Sequence, residues 1–120
     1  GQTPLHYAVS NSSQEAVQAL VEGGADLDSQ TDGGTTPLMM ARNREILTML
    51  LKGGANPDVQ DNNGDTALHR AALANIDDFV SILIEYGADV GIENLEGQTA
   101  LDLATDDKVI ETLREAGAGE

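Results

Sequence analysis

The side chains best suited to chemistry are few. Two histidines, His6 and His69, could ligate a metal or shuttle a proton near neutral pH. Each closes a near-identical phrase, Thr3-Pro4-Leu5-His6 and Thr66-Ala67-Leu68-His69. A histidine repeated together with its surroundings points to a repeated structural task, a hydrogen bond within its own repeat that fixes a loop. Asp61, Asn63 and Asp65 alternate like the first ligands of a calcium loop. That loop needs Gly sixth and Glu twelfth, where this chain has Thr66 and Ala72. These residues read instead as turn formers. The pairs Asp77-Asp78 and Asp106-Asp107 fall where helices are expected to begin, and a helix start favours anions. There is no Gly-rich loop ending in Lys-Ser/Thr, no Gly-x-Ser-x-Gly, no His-Glu-x-x-His and no cysteine. Neither an enzyme nor a metal or cofactor site is expected.

The elements around these residues must come from a chain of 120 residues, 40% of them apolar, enough for one domain with a buried core. With one Phe, two Tyr and no Trp, that core must be aliphatic, which suits small helices packed closely. The net charge of −15 is uneven, with seven acidic and three basic residues in 1–60 against fourteen and three in 61–120. Such a surface repels phosphate, so neither nucleic acid nor an anionic membrane is expected as a partner. It suits a basic protein, or simply keeps the chain soluble. The absence of Cys excludes disulfides and fits a reducing compartment. There is no apolar run of ~18 residues and no leader pattern. The expectation is an intracellular monomer, cytoplasmic or nuclear.

Self-similarity organises the rest. Gly1-Gln2-Thr3-Pro4-Leu5-His6 returns at Gly34–Met39, Gly64–His69 and Gly97–Asp102, and Gly24-Ala25 returns at 54, 87 and 117. Gly24 to Thr36, Gly54 to Thr66 and Gly87 to Thr99 are all 12 positions. Thr3 to Gly24, Thr36 to Gly54, Thr66 to Gly87 and Thr99 to Gly117 are 21, 18, 21 and 18. The connection between copies is constant, and both short copies lose three residues between their two helical stretches.

These phrases resemble the ankyrin repeat family over essentially the whole chain. The resemblance implies an all-α solenoid of four helix–turn–helix repeats joined by β-hairpin-like loops. The single domain, 1–120, divides at about 1–30, 31–60, 61–93 and 94–120. Met39 and Asp102 stand where the family has His, Ala67 and Ala100 where it has Pro, and Thr31 and Asn94 where an Asp opens the loop, as Asp61 does. None of these departures threatens the fold.

In chain order, Thr3 is placed to cap the first helix and Pro4 to sit in its first turn. The chain begins inside a motif, so a preceding segment, or a partly exposed first repeat, is expected. The second repeat has only Arg42-Asn43-Arg44 between its helices, which predicts a first helix shorter by nearly a turn and a notch in the wall there. In the third repeat Asn75 sits at a position suited to positive φ. The apolar run Phe79–Ile84 predicts a helix with neighbours on both sides, so Ile82→Asp should disturb both. In the last repeat Thr112 and Arg114 replace residues that are apolar in the other three copies. This predicts a cap whose outer face meets water, with Thr112→Asp costing little.

Recognition in such an array uses residues the fold does not need. By register the fingertips are Gln30, Asp32, Gly33 and Thr35; Gln60, Asn62, Asn63 and Asp65; and Glu93, Leu95, Glu96 and Gln98. Ser10, Asn11, Leu73 and Ala74 lie further along the first helices. The fingers hold Asp32, Asp61, Asp65, Glu93 and Glu96 without a Lys or Arg, which predicts one acidic edge. Leu95 and Leu73 are candidate apolar anchors. The function expected is non-enzymatic binding of a partner protein, one with a basic surface, through fingertips and concave face. The alternatives are an autoinhibitory or structural spacer within a larger protein and a modified-peptide reader. The reader would need an aromatic cage that three scattered aromatics do not supply.

Overall fold

A computed structural model describes residues 1–118. Four helix pairs follow in order: α1 (Pro4–Ser10) with α2 (Gln14–Glu22), a 3-10 turn (Leu38–Met40) with α3 (Arg44–Lys52), α4 (Ala67–Leu73) with α5 (Asp77–Glu85), and α6 (Ala100–Leu103) with α7 (Asp107–Glu115). Among the described residues there is no strand. Each second helix packs on the next, α2 on α3, α3 on α5 and α5 on α7. The first elements stack likewise, and the result is a rod of 40 × 25 × 20 Å.

The helix starts follow from local chemistry. The hydroxyls of Thr3, Thr66 and Thr99 accept the amide of the residue three on, and that residue's side chain accepts the threonine's own N–H. His6, His69 and Asp102 play this second role, so the Asp does the capping work of the His. A backbone N–H only donates and a carbonyl only accepts, so Nδ1 of each histidine is bare and Nε2 carries the proton. That Nε2 donates to the carbonyl of Thr35 from His6 and of Gln98 from His69, each at 2.9 Å. The expected bond within the repeat is therefore only half of the arrangement. The other half ties each repeat to the finger that follows.

The spacing differences appear in the first helices. α1 and α4 have seven residues, and the chain turns out of them through left-handed Ser12 (φ 55°) and Asn75 (φ 54°). The short copies keep three residues (Leu38–Met40) and four (α6), and the chain leaves in extended conformation at Ala41 and Ala104. Removing three residues removes most of a turn, and the left-handed residue is no longer needed.

The core is aliphatic. Val9, Val17, Ile46, Leu50, Val80, Val109 and Leu113 are fully buried, and Leu5, Leu47, Leu68 and Leu83 nearly so. Every buried side-chain nitrogen and oxygen among the described residues has a hydrogen-bond partner.

Of Thr112 and Arg114, the two α7 positions that are apolar in the other copies, only Arg114 is exposed. Thr112 is half-buried and faces back, donating its hydroxyl to Asp77 Oδ1 at 2.7 Å. The expectation that Thr112→Asp costs little therefore does not hold. It would set a second carboxylate against Asp77. The expected loss is about 1–3 kcal/mol in urea unfolding, against about 0.5 kcal/mol or less for Arg114→Gln.

Candidate functional site: the finger edge and the open face of the first helices

The three fingers close in the same way. The amide of Thr31 donates to the carbonyl of Thr35, Asp61 to Asp65, and Asn94 to Gln98. The side chain that opens each finger then accepts amides across the turn. Thr31 Oγ1 takes Thr35 N, Asp61 Oδ1 takes Asn63 N and Asp65 N, and Asn94 Oδ1 takes Glu96 N and Gln98 N. Three residue types serve because each presents an oxygen at the same point.

The fingers are also stitched to one another. Asn62 N donates to Gly33 O and Leu95 N to Asn63 O, both at 3.0 Å. The amide of Gln30 spans Gly34 O and Gln60 O, and that of Gln60 spans Gly64 O and Glu93 O. The approach is close enough to require glycine at Gly34 and Gly64. A Cβ on Gly64 (φ +80°) would lie 2.7 Å from Leu95 N, and one on Gly34 (φ +84°) 2.7 Å from Asn62 N.

This stitching sorts the fingertip residues. The side chains of Gln30 and Gln60 hold neighbouring fingers. Gln98 is half-buried and takes His69 on its carbonyl and Asn94 on its side chain. Thr35, half-buried, takes His6 on its carbonyl and Arg70 on its hydroxyl. Asn62 donates to Asp32 O, and the half-buried Asp65 accepts from Asn94. Asp32, Gly33, Asn63, Glu93, Leu95 and Glu96 remain exposed along one edge. Leu95 is 78% exposed. Leu73, 63% exposed, sits at the far end of α4 and does not join that edge.

Asp61 leaves the expected acidic edge altogether. It is buried, and Oδ2 receives Arg70 Nη2 at 2.9 Å. Burial alone would raise its pKa. The Arg70 hydrogen bond, the amides of Asp65 and Asn63 and the Arg70 charge together outweigh that and hold it below the ordinary 3.8. A carboxyl whose pKa is lower folded than unfolded stabilises fully above the unfolded value and loses that contribution as pH falls through the folded one. Wild type should therefore exceed Asp61→Asn in stability at neutral pH. The gap should close as pH drops below 3.8 in a series of urea melts.

Arg70 was not singled out from sequence. It lies on α4 with Leu73 and Ala74, three and four positions on and hence on one helix face. Tyr7 is its counterpart on α1 and is 59% exposed. The signal available was positional, the residue after each His6-type position, but nothing in the sequence separates an exposed helix face from a buried one in so short a helix. Beside this face, where the second repeat is shortened, a cavity of about 220 Å³ opens between the 3-10 turn and the α4–α5 pair. It coincides with the expected notch.

With this geometry in view, the relatives can be placed. A family model described as "Ankyrin repeats (3 copies)" matches residues 1–61 and 41–119. The mouse B-cell lymphoma 3 protein homolog is 40% identical over 118 residues, which are 95% of this chain and 26% of that protein. Human neurogenic locus notch homolog protein 1 is 36% identical over 108 residues, 87% of this chain and 4% of that one. The crystal structure of the ankyrin repeat domain of Bcl-3, a member of the IkappaB protein family, superposes with a TM-score of 0.91 at 37% identity. That superposition covers 95% of this chain and 52% of the other. The chain spans about a quarter of the B-cell lymphoma 3 protein's length. Its repeats, its capping threonines and the two overlapping matches agree, and the protein belongs to the ankyrin repeat family.

Proposed function

We propose that this chain is a non-enzymatic protein-interaction module that holds a partner protein against the exposed face of α1 and α4 and the finger edge. One observation carries the reading. The fold uses most polar fingertip groups for itself, yet leaves Tyr7, Leu73 and Leu95 well exposed. Large apolar side chains with no internal task, carried on a rigid array, are what a partner segment can bury. The stitched fingers make the surface pre-organised, so little order has to be imposed on binding. The remaining exposed acids of the edge, Asp32, Glu93 and Glu96, favour a basic stretch on the partner at that side. No helix among the described residues is long and apolar enough to cross a membrane. The setting we infer is intracellular, with the chain acting as a monomer.

The test is affinity capture with wild type beside Tyr7→Ser/Leu95→Ser, read by mass spectrometry, with melting temperatures matched. Partners specific to this face should be retained by wild type and lost by the variant. An identical captured set would remove this face as the interface. For the charge component, Glu93→Gln/Glu96→Gln should slow association and flatten its salt dependence. Asp65 is a poor choice for that test because it already accepts from Asn94.

A further inference from the structure

We infer that the cavity beside α4 is an anchor site for one bulky apolar side chain of a partner segment, with an adjacent carboxylate read by Arg70 and Arg42. This rests on the interaction-module reading and specifies the partner's chemistry.

The cavity is a product of the shortened second repeat. After the 3-10 turn the chain runs extended at Ala41, where α1 and α4 continue as helix. The neighbouring wall of α4 is left without a facing turn. That wall is a stripe of small residues, Ala67, Ala71 and Ala74, so it does not fill the gap itself. Met39 and Phe79 line other sides. The other shortened repeat shows the contrast. There Asn75 crosses to its neighbour, donating to Thr105 Oγ1 at 2.8 Å and accepting the amides of Thr105 and Asp106. That side of α4 is bridged, and the cavity side is open.

The lining selects the guest. Arg70 is its one charged residue, and no buried side-chain nitrogen or oxygen among the described residues lacks a partner that a trapped water would have to supply. An apolar cavity of about 150 Å³ accepts a benzene-sized guest. At about 220 Å³ this one has room for a Leu, Met or Phe side chain.

Charge at the mouth runs against the character of the chain. The chain has six Lys and Arg in all; Arg70 lines the cavity, Arg42 follows Ala41 of the lining in sequence, and Arg44 reaches Asp78 at the start of α5. Arg44 is occupied by Glu45 and Asp78, at 3.4 and 3.7 Å, and Asp77 is engaged by Thr112. Arg42, next to Ala41 of the lining, makes no ion pair among the described residues. Arg70 lines the cavity and holds Asp61 and Thr35 through the single nitrogen Nη2, so Nε and Nη1, which make no hydrogen bond among the described residues, are left for a second carboxylate. An apolar residue next to Asp or Glu matches this combination.

The probe is a random twelve-residue peptide library displayed on phage and selected on the whole chain. Selected peptides should share a bulky apolar residue beside Asp or Glu. Ala74→Trp, at an exposed lining position, should weaken them on the order of tenfold or more. Ala74→Glu, which adds charge repulsion with much less bulk than Trp, is the second variant should the Trp variant unfold. Arg42→Gln should weaken the acidic peptides while leaving acid-free controls unchanged. A consensus lacking the apolar–acidic pair, no enrichment at all, or binding insensitive to both Ala74 variants would overturn the proposal. Peptides lost by Tyr7→Ser/Leu95→Ser but indifferent to Ala74 would leave the interaction module standing and discard the anchor site.

Discussion

Leu83→Ala should lower the unfolding free energy by about 2–5 kcal/mol, measured by urea titration with linear extrapolation. Leu83 is 1% exposed and belongs to α5, which packs on α3, α4 and α7. It also lines the cavity beside α4, so truncation would enlarge an existing void. Collapse is hindered because the α5 segment is tied to its neighbours at both ends: Thr112 binds Asp77 at one, and the Asp89 amide just past the other donates to Asp58. A void that cannot collapse puts the cost in the upper part of that range. In an array where each repeat touches only its neighbours, losing the third weakens the seams on both sides of it. Leu95→Ala, at 78% exposure, is the control and should change stability by no more than about 0.5 kcal/mol. A loss under about 1 kcal/mol for Leu83→Ala would mean the neighbouring helices move in to fill the space.

His69→Leu should cost about 2–4 kcal/mol. The substitution keeps the bulk and removes both ring nitrogens. Thr66 N–H then loses its acceptor at 3.1 Å and Gln98 C=O one of its donors at 2.9 Å, in a site where His69 is 1% exposed. Each buried polar group left unpaired costs about 1–3 kcal/mol, and the Gln98 carbonyl keeps the Asn94 amide, so its share is at the low end. The reverse experiment is available in the same chain. Met39 occupies the same register in the second repeat and makes neither ring bond. Met39→His should gain about 0.5–2 kcal/mol by restoring the capping box on Thr36 and a bond to the Asp65 carbonyl. Both variants are read by the same melts. If His69→Leu loses much and Met39→His gains nothing, the second repeat's finger lies too far away for the bridge.

The same two histidines show how far sequence reading reaches. The bond between each ring and its threonine spans three residues, and the repeated phrase made it legible. The second bond reaches a carbonyl 29 positions away, and it emerges only when two repeats are stacked. The acidic fingers divide in the same way. Asp32 and Asp61 are both finger acids, one position apart in register, and composition alone counts them alike. Asp32 stays at the surface, whereas Asp61 is buried against Arg70 of the helix behind it. Much of the chain's negative charge proves to be structural. Asp28 accepts the Asn56 amide and Asp58 the Asp89 amide, linking successive loops. Asp102 and Asp106 cap helices.

By itself, the sequence determined the repeat and its register, the cap at Thr3, the shortened first helix of the second repeat and the aliphatic core. Each rests on relations within one or two helical turns, where backbone geometry leaves few choices. The tertiary structure alone decided which fingertip groups are free, that Thr112 faces its neighbour, that Arg70 neutralises Asp61, and that the gap left by the second repeat stays open. Apart from the Arg70–Asp61 pair, which joins a finger to the helix of its own repeat, those outcomes depend on which atoms from different repeats come within about 3 Å of one another. Stacking sets those distances, and no local pattern encodes them.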